Sequence, residues 1–167
     1  MRSNVAAVGD RPIMARQHWL IKSEPIKYSF AQLVREDRTT WDGVRNFEAR
    51  AALRAMKEGD LALFYHSNEG KCIVGVARIV REAFPDPTAG DEDWSAVEIS
   101  PVAPLKQPVS LDTIRSDPAL SDMALLKRAR LSVLAVTGPH FERILELGKT
   151  KLSERKRGAK AKKSESA

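Results

Sequence analysis

Short apolar stretches that are rich in β-branched and aromatic residues, and bounded by Pro, Gly or Asn, predict strands. They fall at residues 18–23, 61–67, 72–84, 94–105 and 131–136. The second and third stretches are separated by the turn sequence Asn-Glu-Gly and predict a hairpin. Gly75 within the third predicts a bulge or a close backbone approach, and two prolines in the fourth predict an edge strand or a bulged one.

Helices are predicted where a capping residue precedes an apolar face. Ser29 begins a short helix, Asn46 begins one to about residue 57, and Thr137 begins a final one that ends at Gly148. Two further helical pieces are predicted at residues 111–115 and 118–126. Five to six strands with short helices between them predict an α+β fold, built as a small mixed β-barrel.

The net charge of +6 is concentrated at one end of the chain. Residues 149–167 hold eight Lys or Arg and two Asp or Glu, whereas the preceding 148 residues hold twenty of each sign. A neutral domain does not hold duplex DNA by bulk electrostatics, but a cationic tail can hold any polyanion weakly. The tail is explained equally well as a disordered, solubilising end.

We expect one folded domain over residues 18–148, between a disordered extension at 1–17 and a disordered basic tail at 149–167. Met14 precedes the first patterned segment and is an alternative start to Met1. No apolar run approaches the roughly 20 residues that span a bilayer, and the N-terminus lacks the apolar stretch of a signal peptide. These features predict a cytoplasmic protein with no membrane partner, and association with a nucleoid is left open.

Common catalytic and cofactor sites are not predicted. The chain has no Gly-rich phosphate loop, and His18, His66 and His140 are scattered without metal-ligand spacing. Cys72 lies within a strand, where nothing nearby marks it as an activated nucleophile. We expect no cofactor, no metal and no catalytic residue, although carboxylates that are distant in sequence can still meet in space.

Five motifs occur in order along most of the domain. They are HWLIKSEP (18–25), WDGVRNFEAR (41–50), MKEGDLALFYHS (56–67), IVGVARIVREAFPDPT (73–88) and DMALLKRARLSV (122–133). In these motifs the chain resembles the EVE domain family, over about residues 18–147. The resemblance implies a PUA-like β-barrel related to the YTH readers of methylated RNA, and recognition of modified nucleobases in DNA or RNA.

A pocket that reads the edge of a base needs aromatic faces for stacking and a few fixed donors and acceptors. The available rings are Trp19, Trp41, Phe64 and Tyr65. For Trp19 and Phe64, burial in the core is favoured over contact with a ligand. We place Trp41 in a loop beside Gly43, where a large ring favours ligand contact.

The polar candidates leave alternatives open. Glu24 can accept from a base amino group or pair with Lys22 or Arg45, and Asn46 can read a base or only cap its helix. Because neighbours on a strand face opposite ways, Lys22 and Ser23 are not expected to face the same pocket. The complete candidate set for ligand binding is Trp19, Lys22, Ser23, Glu24, Trp41, Gly43, Val44, Arg45, Asn46, Phe64, Tyr65, His66, Ser67, Arg130 and Ser132.

The leading hypothesis is a monomeric, non-catalytic reader whose partner is nucleic acid that contains modified bases, with DNA and RNA both open. A hydrolase that acts on a modified nucleoside or an RNA-derived amide is the alternative, by analogy with related folds. A third hypothesis is an RNA-associated scaffold in which only the tail binds.

Overall fold

The computed structural model describes residues 16–152, so most of the predicted extension at 1–17 and of the predicted tail at 149–167 lies outside the described residues. The strands are β1 His18–Ser23, β2 Thr39–Trp41, β3 Leu61–His66, β4 Cys72–Pro85, β5 Ser95–Ser110 and β6 Val133–Val136. The helices are α1 Phe30–Glu36, α2 Phe47–Ala55, α3 Leu111–Ser116, α4 Ala124–Lys127 and α5 Gly138–Leu147, with a 3₁₀ helix at Pro118–Leu120.

The six strands form one mixed sheet in the order β2-β5-β4-β3-β1-β6. Only the β1–β3 pair is parallel among these ladders, and the elements α1, β2 and α2 make the long crossover that a parallel pair requires. The predicted α+β class and strand number are confirmed. Within residues 16–152, however, the hydrogen-bonded ladder does not close into a barrel, because β2 and β6 each pair with a single neighbour.

The hairpin of β3 and β4 is confirmed, and Gly75 serves both of the roles predicted for it. The strand register shifts between Phe64 and Tyr65 and again between Ile73 and Gly75, which is a bulge. A Cβ atom on Gly75 would lie 2.5–2.7 Å from ring carbons of Phe30, so α1 packs directly on this backbone. The glycine therefore lets a helix approach the sheet closely.

The proline-containing strand β5 is bulged but does not lie at an edge. It pairs with β2 on one side and β4 on the other. Pro101 and Pro104 lie opposite Ala77 and Gly75, and the register shifts near both of them. The edge alternative is therefore wrong, since irregular pairing accommodates the missing N–H donors within the sheet.

The predicted helix starts follow local capping chemistry. The side chains of Ser29, Asn46 and Thr137 each accept a hydrogen bond from the backbone N–H three residues on. Helix α2 ends at Ala55 because Met56 has an extended backbone, earlier than the predicted end near residue 57. The predicted piece at 118–126 divides into the 3₁₀ helix and α4.

The stretch Thr39–Trp41 was not predicted as a strand. It forms edge strand β2, in which Trp41 pairs with Val97 of β5. The placement of Trp41 in a loop is therefore wrong, and its backbone is held by the sheet. Asp42 and Gly43 follow immediately, and Gly43 has a left-handed φ of 79° that turns the chain.

The core lies between the sheet and its helices. Trp19 and Phe64 are both buried in it, which agrees with the structural interpretation of these two rings. In the part of the chain that the structure describes, each helix is too short or too polar to cross a lipid bilayer.

Candidate functional site

A cleft of about 630 Å³ opens where β1 and β2 end, beside the segment that leads into β6. Its walls carry two aromatic rings, two carboxylates, three cations and several aliphatic hydroxyls. The lining residues are Lys22, Ser23, Glu24, Lys27, Tyr28, Thr39, Thr40, Trp41, Asp42, Gly43, Ser67, Ala129, Arg130 and Ser132. Four parts of the chain that are distant in sequence therefore converge on one concave surface: residues 22–28, 39–43 and 129–132, and Ser67.

The cleft brings together eight of the residues predicted for ligand binding. They are Lys22, Ser23, Glu24, Trp41, Gly43, Ser67, Arg130 and Ser132. Lys22 and Ser23 both line it, so strict alternation of strand faces fails where β1 ends. The other seven lie outside its lining: Trp19, Val44, Arg45, Asn46, Phe64, Tyr65 and His66.

The indole of Trp41 is the largest aromatic surface in the cleft. It is half-buried and meets Phe64 and Tyr28 at centroid distances of 5.5 and 6.0 Å, with interplanar angles of 77° and 79°. Both neighbours are nearly perpendicular to the indole rather than parallel to it. Edge contacts therefore fix the ring at the cleft, where a flat ligand can stack.

The carboxylates of Glu24 and Asp42 supply acceptors. Glu24 pairs with Lys27 at 3.7 Å, rather than with the predicted partners Lys22 or Arg45. Partial desolvation raises the pKa of Asp42, and the nearby charge of Asp86 raises it further. Both carboxylates line the cleft, where they can accept from an amino group on a ligand.

The cation Lys22 is fixed against the opposite wall. Its Nζ donates to the carbonyl oxygen of Ala129 at 2.7 Å and lies 5.9 Å from the centroid of the Tyr65 ring. Burial lowers the pKa of Lys22. The lysine thus joins the end of β1 to the segment that precedes β6, and both of these segments line the cleft.

Hydroxyl groups of the cleft belong to a local network. Ser23 Oγ donates to the carbonyl oxygen of Tyr28 at 2.6 Å, and Tyr28 Oη donates to Glu36 at 2.7 Å. Burial, with the neighbouring charge of Glu36, raises the pKa of Tyr28 to about 12, although a hydrogen bond from Thr39 opposes this shift. Tyr28 therefore stays a neutral phenol throughout the physiological range.

Asp86 connects the rim of the cleft to the loop after β4. Its buried carboxylate accepts from Gly43 N at 2.8 Å, Arg45 Nη1 at 2.9 Å, Thr88 N at 2.7 Å and Thr88 Oγ1 at 2.6 Å. Burial alone would raise the pKa of Asp86, but the hydrogen bonds from Thr88, Gly43 and Arg45 outweigh it and lower the pKa to about 2. Arg45 is thereby held outside the lining of the cleft.

The remaining predicted residues have structural partners. Asn46 Oδ1 accepts from Ala49 N at 2.9 Å, and Trp19 Nε1 donates to the buried carboxylate of Asp60 at 3.0 Å. The Nε2 atom of His66 accepts from Phe30 N at 3.1 Å, and burial lowers the pKa of this imidazole. The last three, Val44, Phe64 and Tyr65, are buried in the core.

Sequence reasoning missed six lining residues: Lys27, Tyr28, Thr39, Thr40, Asp42 and Ala129. Of these, Asp42 was detectable from its position between Trp41 and Gly43. The two threonines depend on strand β2, which the pattern did not indicate. Among residues 16–152, no group of three or more His, Cys, Asp or Glu is placed to hold a metal ion.

Comparison with known proteins identifies relatives that span most of the chain. Human thymocyte nuclear protein 1 is 37% identical, over 78% of this chain and 73% of that protein. The Rhodopseudomonas palustris protein Rpa0253 is 45% identical with a TM-score of 0.77, over 80% of this chain and 93% of that one. Human THYN1 in complex with 5-methylcytosine containing DNA is 34% identical with a TM-score of 0.76, over 81% of this chain and 99% of that one.

A more distant likeness concerns the fold alone. The YTH domain of Zygosaccharomyces rouxii MRB1 has a TM-score of 0.53 at 16% identity, over 85% of this chain and 91% of that one. The open six-stranded sheet with peripheral helices is thus a small α+β fold of the PUA-like kind. The model of the EVE domain matches residues 17–147, and the chain belongs to the EVE domain family.

Proposed function

We propose that this protein is a non-catalytic reader that binds a modified nucleobase of DNA or RNA in the cleft at the end of β1 and β2. The observation that carries the proposal is the fixed indole of Trp41 beside two carboxylates, Glu24 and Asp42, in one concave site. An unstacked base needs a flat apolar surface and a few polar groups at its edge. This cleft supplies both.

A relative of known ligand supports this assignment. Human THYN1 shares the fold over 81% of this chain at 34% identity, and its structure contains 5-methylcytosine DNA. A cytosine edge presents an amino donor. The Glu24 and Asp42 carboxylates can accept from such a donor, which makes a modified cytosine the first ligand to test.

The cations of the cleft suit the phosphates that flank the bound base. Lys22, Lys27 and Arg130 all line it, and the Lys27 side chain is 75% exposed. Phosphate contacts position a strand but carry no sequence information directly. The 148 residues before the tail are neutral overall, so we assign selectivity to the cleft and assign sequence-independent attraction to these cations and the tail.

Titration with matched oligonucleotides tests the proposal. The probes are DNA and RNA strands, single and duplex, that carry one 5-methylcytosine, one 5-hydroxymethylcytosine or plain cytosine at the same position. We expect a clear preference for one modified form at moderate salt. Equal affinity for modified and plain strands in every context would contradict the proposal.

The absence of turnover is part of the proposal. We expect the modified nucleoside to be recovered unchanged after long incubation with the protein, as measured by chromatography of the digested oligonucleotide. A product that disappears in Glu24→Gln would instead identify a hydrolase. We also propose that the protein is a monomer, which sedimentation of the free chain and of its complex will test.

A further inference from the structure

An aromatic pair lies outside the cleft, at the start of α2. The side chain of Phe47 is largely solvent-exposed, at 69% for the residue, although it is a large apolar group. Its ring stacks on Trp94 with a centroid distance of 5.3 Å and an interplanar angle of 15°. The residues are far apart in sequence, so the tertiary fold creates this pair rather than local helix geometry.

Arginines and a carboxylate hold the pair in place. Arg50 Cζ lies 4.8 Å from the Phe47 ring centroid and 5.1 Å from that of Trp94. Asp93 contacts both Arg50, at 3.8 Å, and Arg54, at 2.7 Å. The rings are thus ordered before any partner arrives, which lowers the entropic cost of stacking on them.

The aromatic pair is linked to the cleft through Asp86. Arg45 Cζ lies 5.6 Å from the Trp94 ring centroid, and Arg45 Nη1 donates to the same carboxylate oxygen that accepts from Gly43 N. Gly43 lines the cleft. One short segment therefore carries an aromatic ring at each end, with Trp41 in the cleft and Phe47 outside it.

We propose that the exposed face of Phe47 is a second stacking site, which binds an unmodified nucleobase that neighbours the base held in the cleft. The proposal rests on the proposed function, because a base that has left its stack uncovers the faces of its neighbours. Any of the four bases can use this site, since every base offers a flat face to an aromatic ring. Phe47 would therefore add affinity without selectivity for the modification.

The surrounding charges favour a base face over a phosphate. The loop beside Trp94 contains Asp91, Glu92 and Asp93, which repel a phosphate, and the nearby guanidinium groups already have carboxylate partners. A protein partner fits less well, because a stable interface buries roughly 800 Å² on each side. Among residues 16–152 the exposed large hydrophobic residues are Ile26, Val34 and Phe47, so helix α2 and the loop at Trp94 together contribute Phe47 alone.

The test compares Phe47→Ala with Val34→Ala, a matched loss of an exposed apolar side chain on α1, which does not line the cleft. The probes are an oligonucleotide with one modified base, the same strand with abasic sites on both sides of it, and the free modified nucleoside. We expect Phe47→Ala to weaken binding of the first probe about five- to 150-fold. Binding of the other two probes, and the dependence of binding on salt, should not change.

Unchanged binding of the first probe by Phe47→Ala would overturn the stacking site. Equal weakening by Phe47→Ala on strands with and without flanking bases would overturn the stacking site while the proposed function stands. If Phe47→Ala changed the sedimentation of the free protein, the stacking site would also be overturned, because Phe47 would then lie at an interface between copies of the chain. If the wild type shows no preference for a modified base, the proposed function fails, whereas a flank-dependent effect of Phe47→Ala would still support stacking. Phe47→Tyr should retain wild-type affinity, and Val34→Ala should change nothing.

Discussion

The backbone amide of Gly43 donates a 2.8 Å hydrogen bond to the buried carboxylate of Asp86, which lies 43 residues away in the chain. The same carboxylate accepts from Arg45 and from Thr88. Because Gly43 lines the cleft, this one buried charge determines where the rim of the proposed base site lies. The loop after β4 thus shapes a site that it does not itself line.

Replacement of Asp86 by Asn should destabilise the protein by about 1–3 kcal/mol, since the amide carries no charge and turns a donor toward groups that also donate. We expect ligand affinity to fall as well, because the backbone at Gly43 loses its anchor. Chemical denaturation and titration measure the two effects. The control is Asp91→Asn, an exposed carboxylate in the same loop, which should change stability by less than about 0.5 kcal/mol. Equal effects of the two variants would contradict the role of Asp86.

The stabilisation by Asp86 should depend on pH in a defined window. Its pKa is lowered from 3.8 to about 2 in the folded protein, so its contribution is fully present above about pH 4 and is lost as the pH falls through 2. The difference in unfolding free energy between wild type and Asp86→Asn should therefore be constant near neutral pH. It should shrink between about pH 4 and pH 2. A difference that disappears between pH 5 and 7 would show that another group is responsible.

Substitution of Gly75 by Ala tests the close approach of α1 to the sheet. The added Cβ would meet the buried Phe30 ring at 2.5–2.7 Å, so the helix must shift. We expect a loss of about 1–3 kcal/mol in unfolding free energy. Gly138→Ala is the matched control, because a Cβ there meets no heavy atom within 4 Å. That variant should be neutral or slightly stabilising, and equal losses at both positions would argue against the packing account.

Trp19→Phe separates a core tryptophan from a ligand-binding one. The change removes the indole N–H that donates to buried Asp60, which should cost about 1–3 kcal/mol of stability. Trp94→Phe removes an exposed indole bond to Glu92 and should cost much less. We expect both variants to bind the free modified nucleoside like wild type when affinity is expressed per folded molecule. A specific affinity loss in Trp19→Phe would place this ring in the ligand site.

Local chemistry could be predicted from the sequence, whereas contacts between distant segments could not. Ser29, Asn46 and Thr137 were identified as caps because each acts on a backbone N–H three residues away. Strand β2 is not predictable because three residues are too few to display a period, and the predicted loop position of Trp41 is wrong for that reason. The role of Asp86 was hidden because its partner Gly43 belongs to a different motif.

Only part of the candidate site could be predicted, because it too depends on contacts between distant segments. The segments that end β1 and β2 were recognised as clusters of aromatic and polar residues, and they do converge. Arg45 is adjacent to these residues in sequence but faces the loop after β4 instead, because the buried charge of Asp86 requires a partner. The convergence of Lys22 with Ala129 depends on the β1–β6 pairing, which no local pattern predicts.

The affinity of Trp41→Ala for the preferred modified oligonucleotide, expressed per folded molecule, tests the central claim most directly. The ring is half-buried against Phe64 and Tyr28, so some stability will also be lost, and thermal melting must accompany the titration. We predict binding that is weaker by roughly 1–3 kcal/mol, about five- to 150-fold, with reduced preference for the modified base. A lower melting temperature with unchanged affinity and unchanged preference would make Trp41 purely structural and would contradict the proposed base site.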